Sequence, residues 1–209
     1  MEDLTLTDEK AALRRKALVA ARASAAAYGD EAGLRVARAF LAAVPVARGA
    51  VISGYAPLKS EIDPLPLLTL LARRGHPIAL PYVEAAGRPL LLKRWRPGDK
   101  LAAGQFGVRQ PSASAPTLRP DILLVPLVGF DSAGNRLGRG GGFYDRTIAE
   151  LKSRGPLTTV GLAFAAQQGT GWHAAVLEQD LRRVRGVLAH LFLDARDDVA
   201  RRFRRHQKA

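Results

Sequence analysis

The most constraining feature of the sequence is a strand, a glycine-rich loop and a helix in direct succession over residues 122–151. The run Ile122–Val128 is short, apolar and mostly branched, which predicts a strand buried on both faces, and Pro126 favours a strand end or a bulge. Five glycines occupy the loop, at positions 134, 138, 140, 141 and 142. Helical spacing of apolar residues then covers 143–154, and Gly155 is placed to end that helix. The helix is therefore expected to begin at the glycine loop.

This arrangement favours the binding of an anion. The first N–H groups of a helix lack internal partners and carry partial positive charge, so they attract phosphate. Arg136, Arg139 and Arg146 add forked donors beside them. No Lys-Ser or Lys-Thr pair follows the glycines, and G-x-G-x-x-G does not fit residues 138–143, so a standard nucleoside-triphosphate P-loop is not expected. The alternative is a flexible surface loop.

Composition limits the class of protein. A chain of 209 residues with 47% hydrophobic content is long and apolar enough for one domain with a substantial core. The absence of cysteine excludes a disulfide framework, a thiolate nucleophile and a cysteine-type zinc site. No apolar run approaches the roughly 20 residues needed to cross a bilayer, and the first ten residues lack a signal-peptide pattern. A soluble cytoplasmic protein without membrane contact is expected.

The formal net charge of +13 raises the possibility of a nucleic-acid partner. Residues 182–209 alone hold nine Lys or Arg and three Asp, so nearly half of the excess charge lies in this last stretch. Neither an aromatic stacking platform nor a recognised nucleic-acid module accompanies it. Small anionic ligands would be served equally well, and a nucleic-acid partner is not expected.

Strand and helix patterns alternate along the chain. We expect helices over 8–28, with Thr7 as its N-cap, and over 31–44, 64–74 and 143–154. Strands are expected over 50–57, 77–83, 90–95, 122–128, 158–166 and 186–193, and an extended loop over 97–121. Such alternation predicts an α/β fold of three layers, with a mostly parallel sheet and helices on both faces. Residues 1–194 are expected to form a single domain, and 195–209 a basic extension forming a peripheral helix.

Two further groups of residues have competing interpretations. Lys10 and Arg14 lie four positions apart on one helix face, where they are either solvated or a basic pair that reaches an anion. Glu61 follows a predicted strand, where it is either exposed or close to a ligand, because ligands bind at the carboxyl ends of strands in open α/β sheets. The four histidines are scattered singly without metal-ligand spacing, so no metal role is expected for them.

Taken together, the motifs resemble those of the 5-formyltetrahydrofolate cyclo-ligases, also called methenyltetrahydrofolate synthetases. The matching segments span the chain in order and are K-x-x-L-R at Lys10–Arg14, Y-x-P-x-x-S-E-I-D at Tyr55–Asp63, A-L-P at Ala79–Pro81, G-x-F-G at Gly104–Gly107 and GNRLGRGGGFYDR at Gly134–Arg146. Three positions differ from the common pattern: Phe143 replaces a tyrosine, Gln110 stands where an acidic residue often precedes the proline, and the segment around Asp180 is altered.

The resemblance implies ATP- and magnesium-dependent closure of 5-formyltetrahydrofolate to 5,10-methenyltetrahydrofolate by a monomer, on a Rossmann-like sheet similar to those of sugar-phosphate isomerases and coenzyme A transferases. It implies ATP binding by Lys10, Arg14, Arg136, Leu137, Gly138, Arg139, Gly140, Gly141, Gly142, Phe143 and Tyr144. It implies folate binding by Ala56, Glu61, Arg139, Gly140, Gly141, Gly142 and Phe143. Arg139 and Tyr144 would be catalytic, and Asp145 and Asp180 would hold Mg²⁺.

Two other classes of function stay open on the residues alone. A sugar-phosphate isomerase or an acyl-coenzyme A transferase would use the same kind of sheet without ATP, because a fold does not fix the chemistry performed on it. A basic nucleic-acid-binding protein would depend on its tail and lose affinity steeply with salt, without any need for Glu61 or the glycine loop.

Overall fold

The structure is a computed structural model in which residues 2–131, 135–169 and 188–193 are described, with side chains for 8–131 and 135–169. These residues form a central sheet of six strands, which are β1 (Ile52–Ser53), β2 (Ile78–Tyr82), β3 (Leu91–Trp95), β6 (Ile122–Pro126), β9 (Thr158–Phe164) and β10 (Leu188–Leu193). Their spatial order is β10-β9-β6-β1-β2-β3. All neighbours pair in parallel except β2 with β3. The sheet is thus mostly parallel, with one antiparallel edge strand.

The short strand β1 occupies the centre of this sheet. Ile52 lies opposite Ile78 of β2 on one side and Ile122 of β6 on the other. The Asp121 carboxylate reinforces the second pairing by accepting a hydrogen bond of 2.8 Å from the Val51 N–H. The chain leaves β1 toward β2 and β3, and later crosses back to β6 and β9 on the other side.

Within the described residues, four α-helices surround the sheet: α1 (Glu2–Tyr28), α2 (Glu31–Ala43), α3 (Leu65–Arg73) and α4 (Phe143–Ser153). Two hydrophobic clusters lie on opposite faces of the sheet. Residues of α2 and α3, including the fully buried Phe40, pack with Ile122 and Leu124 on one face of β6. Ile148 of α4 packs with Leu123 and Val125 on the other. Because alternate residues of a strand point to opposite faces, the continuous apolar run of β6 is explained by helices on both sides.

Two small hairpins complete the described fold. The strands β4 (Ala102–Ala103) and β5 (Arg109–Gln110) are antiparallel and enclose a single 3-10 turn at Gln105–Gly107. The strands β7 (Gly129–Phe130) and β8 (Arg136–Leu137) form the second antiparallel pair, directly after β6. This second hairpin delivers the chain to the glycine loop and then to α4.

The structure confirms the mixed α/β class with a mostly parallel sheet and corrects several details. Thr7 does not cap α1, because the helix begins at Glu2. The strand expected over 50–57 is limited to the two residues of β1, and the segment 97–121 contains the β4–β5 hairpin rather than loop alone. The helix expected over 195–209 lies outside the described residues. Among the helices that are described, none is both long and apolar enough to span a membrane.

Candidate active site

A cavity of about 490 Å³ opens at the carboxyl ends of the central strands. It lies between the segment after β1, which contributes Tyr55, Ala56 and Glu61, and the segment after β6, which contributes Leu127 and Val128. Two loops far apart in the sequence therefore meet here. This is the expected place for a ligand in an open α/β sheet, since the crossovers from neighbouring strands run in opposite directions.

The glycine loop forms one wall of the cavity and ends at the first turn of α4. Gly138, Arg139 and Gly140 to Gly142 all line the space. Gly142 is the N-cap residue of α4 and has φ of +63°, and a Cβ there would lie 2.6 Å from a guanidinium nitrogen of Arg146. A side chain at this position is therefore disfavoured by the left-handed backbone, whereas the flexible end of Arg146 could move aside. Gly142 and the first residues of α4, Phe143 to Asp145, line the cavity.

Arginines hold the glycine loop from outside. Arg14 of α1 donates from Nε to the Gly138 carbonyl at 3.0 Å, and its Cζ lies 3.7 Å from where a Gly140 Cβ would stand. Arg146 donates to the Gly141 carbonyl at 2.6 Å. These hydrogen bonds pair two carbonyls of the glycine loop with guanidinium groups and place two positive charges beside the loop.

Glu61 and Arg139, which are 78 residues apart, form an ion pair at the cavity. Arg139 donates to Glu61 Oε1 from Nη2 at 3.0 Å and from Nε at 3.2 Å, and to the Ser60 hydroxyl at 3.4 Å. The second oxygen of Glu61 accepts from the Leu58 N–H at 2.9 Å. The Glu61 side chain is only 10% exposed, whereas that of Arg139 is 45% exposed. The carboxylate is therefore fixed, and the guanidinium is the partner with room to move.

Arg136 and Asp145 form a second ion pair, which is more deeply buried. The Arg136 side chain is 4% exposed and that of Asp145 is 24% exposed, and both residues border the cavity. Arg136 Nε is buried and has no hydrogen-bond partner within the described part of the chain. Asp145 lies in the first turn of α4, where a carboxylate is also favoured by the helix dipole.

Two tyrosines at the cavity are held in their neutral form. Burial, with a further contribution from the Glu61 charge, raises the pKa of Tyr144, and the Arg136 charge opposes this only in part. Burial and then the charge of Glu61 likewise raise the pKa of Tyr55, whose hydroxyl donates to the Ile62 carbonyl at 2.9 Å. A tyrosine in this state is a hydrogen-bond donor rather than a base at neutral pH.

The opposite wall of the cavity includes residues of the segment 97–121, for which sequence analysis predicted an extended loop but no site residue. Phe106, at the turn between β4 and β5, is 65% exposed, has φ of +59°, and lies 5.6 Å from Phe143 between ring centroids. A left-handed backbone is unusual for an aromatic residue. Gln110 of β5 accepts from the Val83 N–H at 3.1 Å and so ties the hairpin to the end of β2. The G-x-F-G motif was the available signal.

Most of the expected site residues meet in this one cavity. Its lining includes Ala56, Glu61, Arg136, Gly138, Arg139, Gly140, Gly141, Gly142, Phe143, Tyr144 and Asp145. Leu137 is fully buried in β8, Arg14 contacts the glycine loop from behind, and neither Lys10 nor Arg14 belongs to the lining. Lys10 is only 7% exposed, so it does not belong to a solvated face. Asp180 lies outside the described residues.

The expected magnesium site has few possible protein ligands among the described residues. Among the residues that the structure describes, no cluster of three His, Asp or Glu side chains is arranged to hold a metal ion. Asp145 supplies one carboxylate at the cavity. Mg²⁺ commonly takes only one or two protein carboxylates and completes its shell with water and substrate phosphates, so a single Asp beside the glycine loop fits such an ion.

Comparisons with known proteins agree on one family. The model of the 5-formyltetrahydrofolate cyclo-ligase family matches residues 6–170. A 5-formyltetrahydrofolate cyclo-ligase of Mycolicibacterium smegmatis is 37% identical over 142 residues, which cover 64% of this chain and 72% of the relative. One from Escherichia coli is 34% identical over 125 residues, covering 57% and 68%. The solved structure of Aquifex aeolicus 5,10-methenyltetrahydrofolate synthetase superimposes with a TM-score of 0.62 at 27% identity, covering 78% of this chain and 84% of that one. The chain belongs to the 5-formyltetrahydrofolate cyclo-ligase family.

Proposed function

We propose that the protein catalyses the ATP-dependent conversion of 5-formyltetrahydrofolate to 5,10-methenyltetrahydrofolate, with release of ADP and phosphate. The observation that carries this proposal is the single cavity in which the loop after β1, with Glu61, meets the glycine loop before α4, with Arg139. Family membership supports the same reaction and does not favour a sugar-phosphate isomerase, a coenzyme A transferase or a nucleic-acid-binding protein.

The nucleotide end of the cavity is the glycine loop. Its backbone and the free N–H groups of α4 are suited to oxygen atoms of the triphosphate, because they offer donors and partial positive charge without a side chain in the way. Arg14 and Arg136 add fixed positive charge around the loop, and we propose that Lys10, buried on α1, joins them in binding the nucleotide. Phosphoryl transfer requires mainly positioning and charge neutralisation, which this environment supplies. Leu137 contributes by packing under the loop, and Gly138 to Tyr144 provide the surface against the nucleotide.

The folate end of the cavity is the segment from Ala56 to Glu61. The fixed Glu61 carboxylate would accept hydrogen bonds from the amino and ring N–H groups of the pterin. The lining between this segment and Phe143 is mainly apolar, which suits a flat ring system. Gly140, Gly141, Gly142 and Arg139 border both ends, so they would contact the folate as well as the phosphates.

The proposed chemistry places two groups close to the reacting atoms. The formyl oxygen takes the γ-phosphoryl group of ATP, N10 then bonds to the activated formyl carbon and loses its proton, and the carbon–oxygen bond breaks to release phosphate. Arg139 has an exposed guanidinium that would neutralise charge on the transferred group. Tyr144, held neutral, would donate a hydrogen bond to an oxygen of that group.

A magnesium ion would be held by Asp145 together with phosphate oxygens, and Asp180 is proposed as its second carboxylate. When bound, the ion would neutralise phosphate charge. Before it binds, Arg136 neutralises Asp145.

The proposal also covers the domain organisation, the location and the partners of the protein. We propose that residues 1–194 act as one domain with a Rossmann-like sheet of the isomerase and transferase type, followed by a basic extension over 195–209 that forms a peripheral helix. We further propose that the enzyme is a cytoplasmic monomer without a nucleic-acid or membrane partner.

The test is a direct assay of the purified protein. With 5-formyltetrahydrofolate, ATP and magnesium, methenyltetrahydrofolate should form and be detected by its near-ultraviolet absorbance. Glu61→Ala and Arg139→Ala should each suppress the product, because they remove the two partners of the ion pair that joins the loops. No product from folded wild-type protein at any ATP concentration would overturn the proposal.

Control variants distinguish a loss of activity caused at the cavity from a general effect of removing a charged side chain. Glu9→Ala and Arg15→Ala remove the same side-chain types from exposed positions of α1. They should leave the rate unchanged, and all four variants should melt within a few degrees of the wild type. Loss of activity in Glu9→Ala or Arg15→Ala would show that charge, rather than the cavity, controls the assay.

A further inference from the structure

Gln167 lies just beyond β9 and is one of the few buried polar residues among those described. It ends the 3-10 turn Ala165–Gln167 and is 4% exposed. Its Oε1 accepts from the Phe164 N–H at 2.8 Å. Its Nε2 donates to two carbonyls, that of Leu127 at 3.0 Å and that of Val128 at 2.8 Å. One side-chain amide therefore joins the end of β9 to the end of β6.

The two acceptor carbonyls belong to the cavity wall. Leu127 and Val128 line the cavity, yet they are 5% and 2% exposed, so water has little access to their peptides. Buried backbone groups need partners, and Gln167 supplies donors that no regular strand pairing provides at this point. Without it, the chain would have to rearrange where β6 gives way to β7.

The same two residues support the hairpin that leads to the glycine loop. The Val128 N–H donates to the Leu137 carbonyl at 2.8 Å, and Gly129 pairs with Leu137 across β7 and β8. Gly138 follows immediately. A displacement of the Leu127–Val128 peptides is thus transmitted through a few backbone hydrogen bonds to the start of the loop.

We propose that Gln167 is a positioning residue that sets the place of the β7–β8 hairpin and, through it, of the glycine loop at the nucleotide end of the cavity. The consequence for ATP rests on the function proposed above, whereas the placement of the hairpin does not. Ala56 and Glu61 lie on the loop after β1, so the folate end, which shares Arg139 and Gly140 to Gly142 with the nucleotide end, should be affected less.

The chemistry of the side chain explains the choice of glutamine. An amide provides an acceptor for Phe164 and two N–H donors for the two carbonyls at once. Gln167→Glu preserves the shape but, when ionised, offers acceptors alone and sets a charge against two carbonyl oxygens. Gln167→Met preserves the length without any hydrogen-bonding group. Gln168, the next residue, is exposed, so Gln168→Glu and Gln168→Met are matched controls.

Steady-state kinetics tests the functional half of the proposal. In both Gln167 variants kcat/KM for ATP should fall roughly 10²-fold, the scale of a misplacement of about 1 Å, while KM for 5-formyltetrahydrofolate should rise by less than about tenfold. The Gln168 variants should match the wild type. Equal loss toward both substrates, or no loss, in a folded Gln167 variant would overturn the selective role.

Amide hydrogen exchange tests the placement without relying on activity. Exchange at Val128 and Asp131, whose N–H groups donate to the Leu137 and Asn135 carbonyls across the hairpin, should be accelerated about tenfold or more in the Gln167 variants, with α2 and β2 unchanged. If the wild type forms no methenyltetrahydrofolate, the proposed function fails, but this measurement still decides the structural claim. Unchanged exchange would refute it.

A final measurement on the wild type covers the case in which the variants do not fold. The side-chain NH₂ protons of Gln167 should exchange much more slowly than those of the exposed Gln168. Comparable rapid exchange at both residues would overturn the proposal.

Discussion

Removing Asp145 should destabilise the protein far more than removing its partner Arg136. Asp145→Ala leaves a guanidinium whose side chain is 4% exposed without its counter-charge, and Arg136 Nε has no alternative partner among the described residues. Leaving one member of a buried ion pair uncompensated costs about 3–5 kcal/mol. In a chain of this length that corresponds to a fall in Tm of roughly 6–20 °C.

Arg136→Met should be much milder, because the charge leaves together with the burial penalty. The remaining Asp145 side chain is 24% exposed and can be hydrated, so a cost of roughly 1 kcal/mol is expected. The free energy of unfolding of the double variant, Asp145→Ala with Arg136→Met, should lie within about 1 kcal/mol of the wild-type value. This figure includes the lost interaction of Asp145 with the helix dipole. The coupling energy between the two sites is then about 3–5 kcal/mol in magnitude.

Urea denaturation of the wild type, the two single variants and the double variant closes this cycle, provided that the m-values agree. Glu150→Ala is the control, because it breaks an exposed ion pair with Arg154 near the end of α4. The Arg154 side chain is 65% exposed and that of Glu150 is 41% exposed. This substitution should cost at most about 1 kcal/mol. Equal costs for Asp145→Ala and Glu150→Ala, or additive effects in the double variant, would refute the reasoning.

Three further predictions concern pH, a family difference and the core. Burial raises the pKa of Tyr55 and of Tyr144, so these tyrosines ionise first in the unfolded chain as pH passes about 10, and the free energy of unfolding should decline there. Urea titrations of a variant with Tyr55→Phe and Tyr144→Phe should show a shallower decline with pH. An equally steep decline would contradict this. Gln110→Glu should keep kcat within about threefold, since a carboxylate still accepts from the Val83 N–H; a larger loss in the absorbance assay would mean that the amide N–H groups matter. Phe40→Ala, at a fully buried site, should cost about 3–5 kcal/mol by denaturation, and a cost below 1 would show that the core collapses around the gap.

The sequence was sufficient to predict a strand from Ile122 and a helix from Phe143, because periodicity and glycine placement are local signals. It did not predict the β7–β8 hairpin between them, and the strand ends at Pro126 rather than Val128. The sequence also predicted a mostly parallel sheet, and Glu61 and Arg139 do meet at one cavity. Their roles toward ligands stay predictions.

Other features depend on tertiary contacts that no local pattern encodes. The burial of Lys10 follows from how α1 lies against the rest of the chain, whereas the helical spacing of its charges is equally compatible with a solvated face. The β4–β5 hairpin has strands of two residues in a segment rich in Gly, Pro, Ser and Ala, too short for any periodicity to appear. Gln167 is significant only because β6 ends next to it in space.

The position of β1 between β2 and β6 has a consequence for how the cavity arises during folding. Pairing of β1 with β2 closes a short stretch of chain, but pairing with β6 joins Val51 to Asp121 across 70 residues. Contacts of such sequence separation form slowly, since chain entropy is lost before they are gained. The loop bearing Glu61 and the loop bearing Arg139 belong to the two sides of that late junction. In refolding, recovery of ligand binding should therefore lag behind the recovery of helical signal and report the closing of the central strand pair.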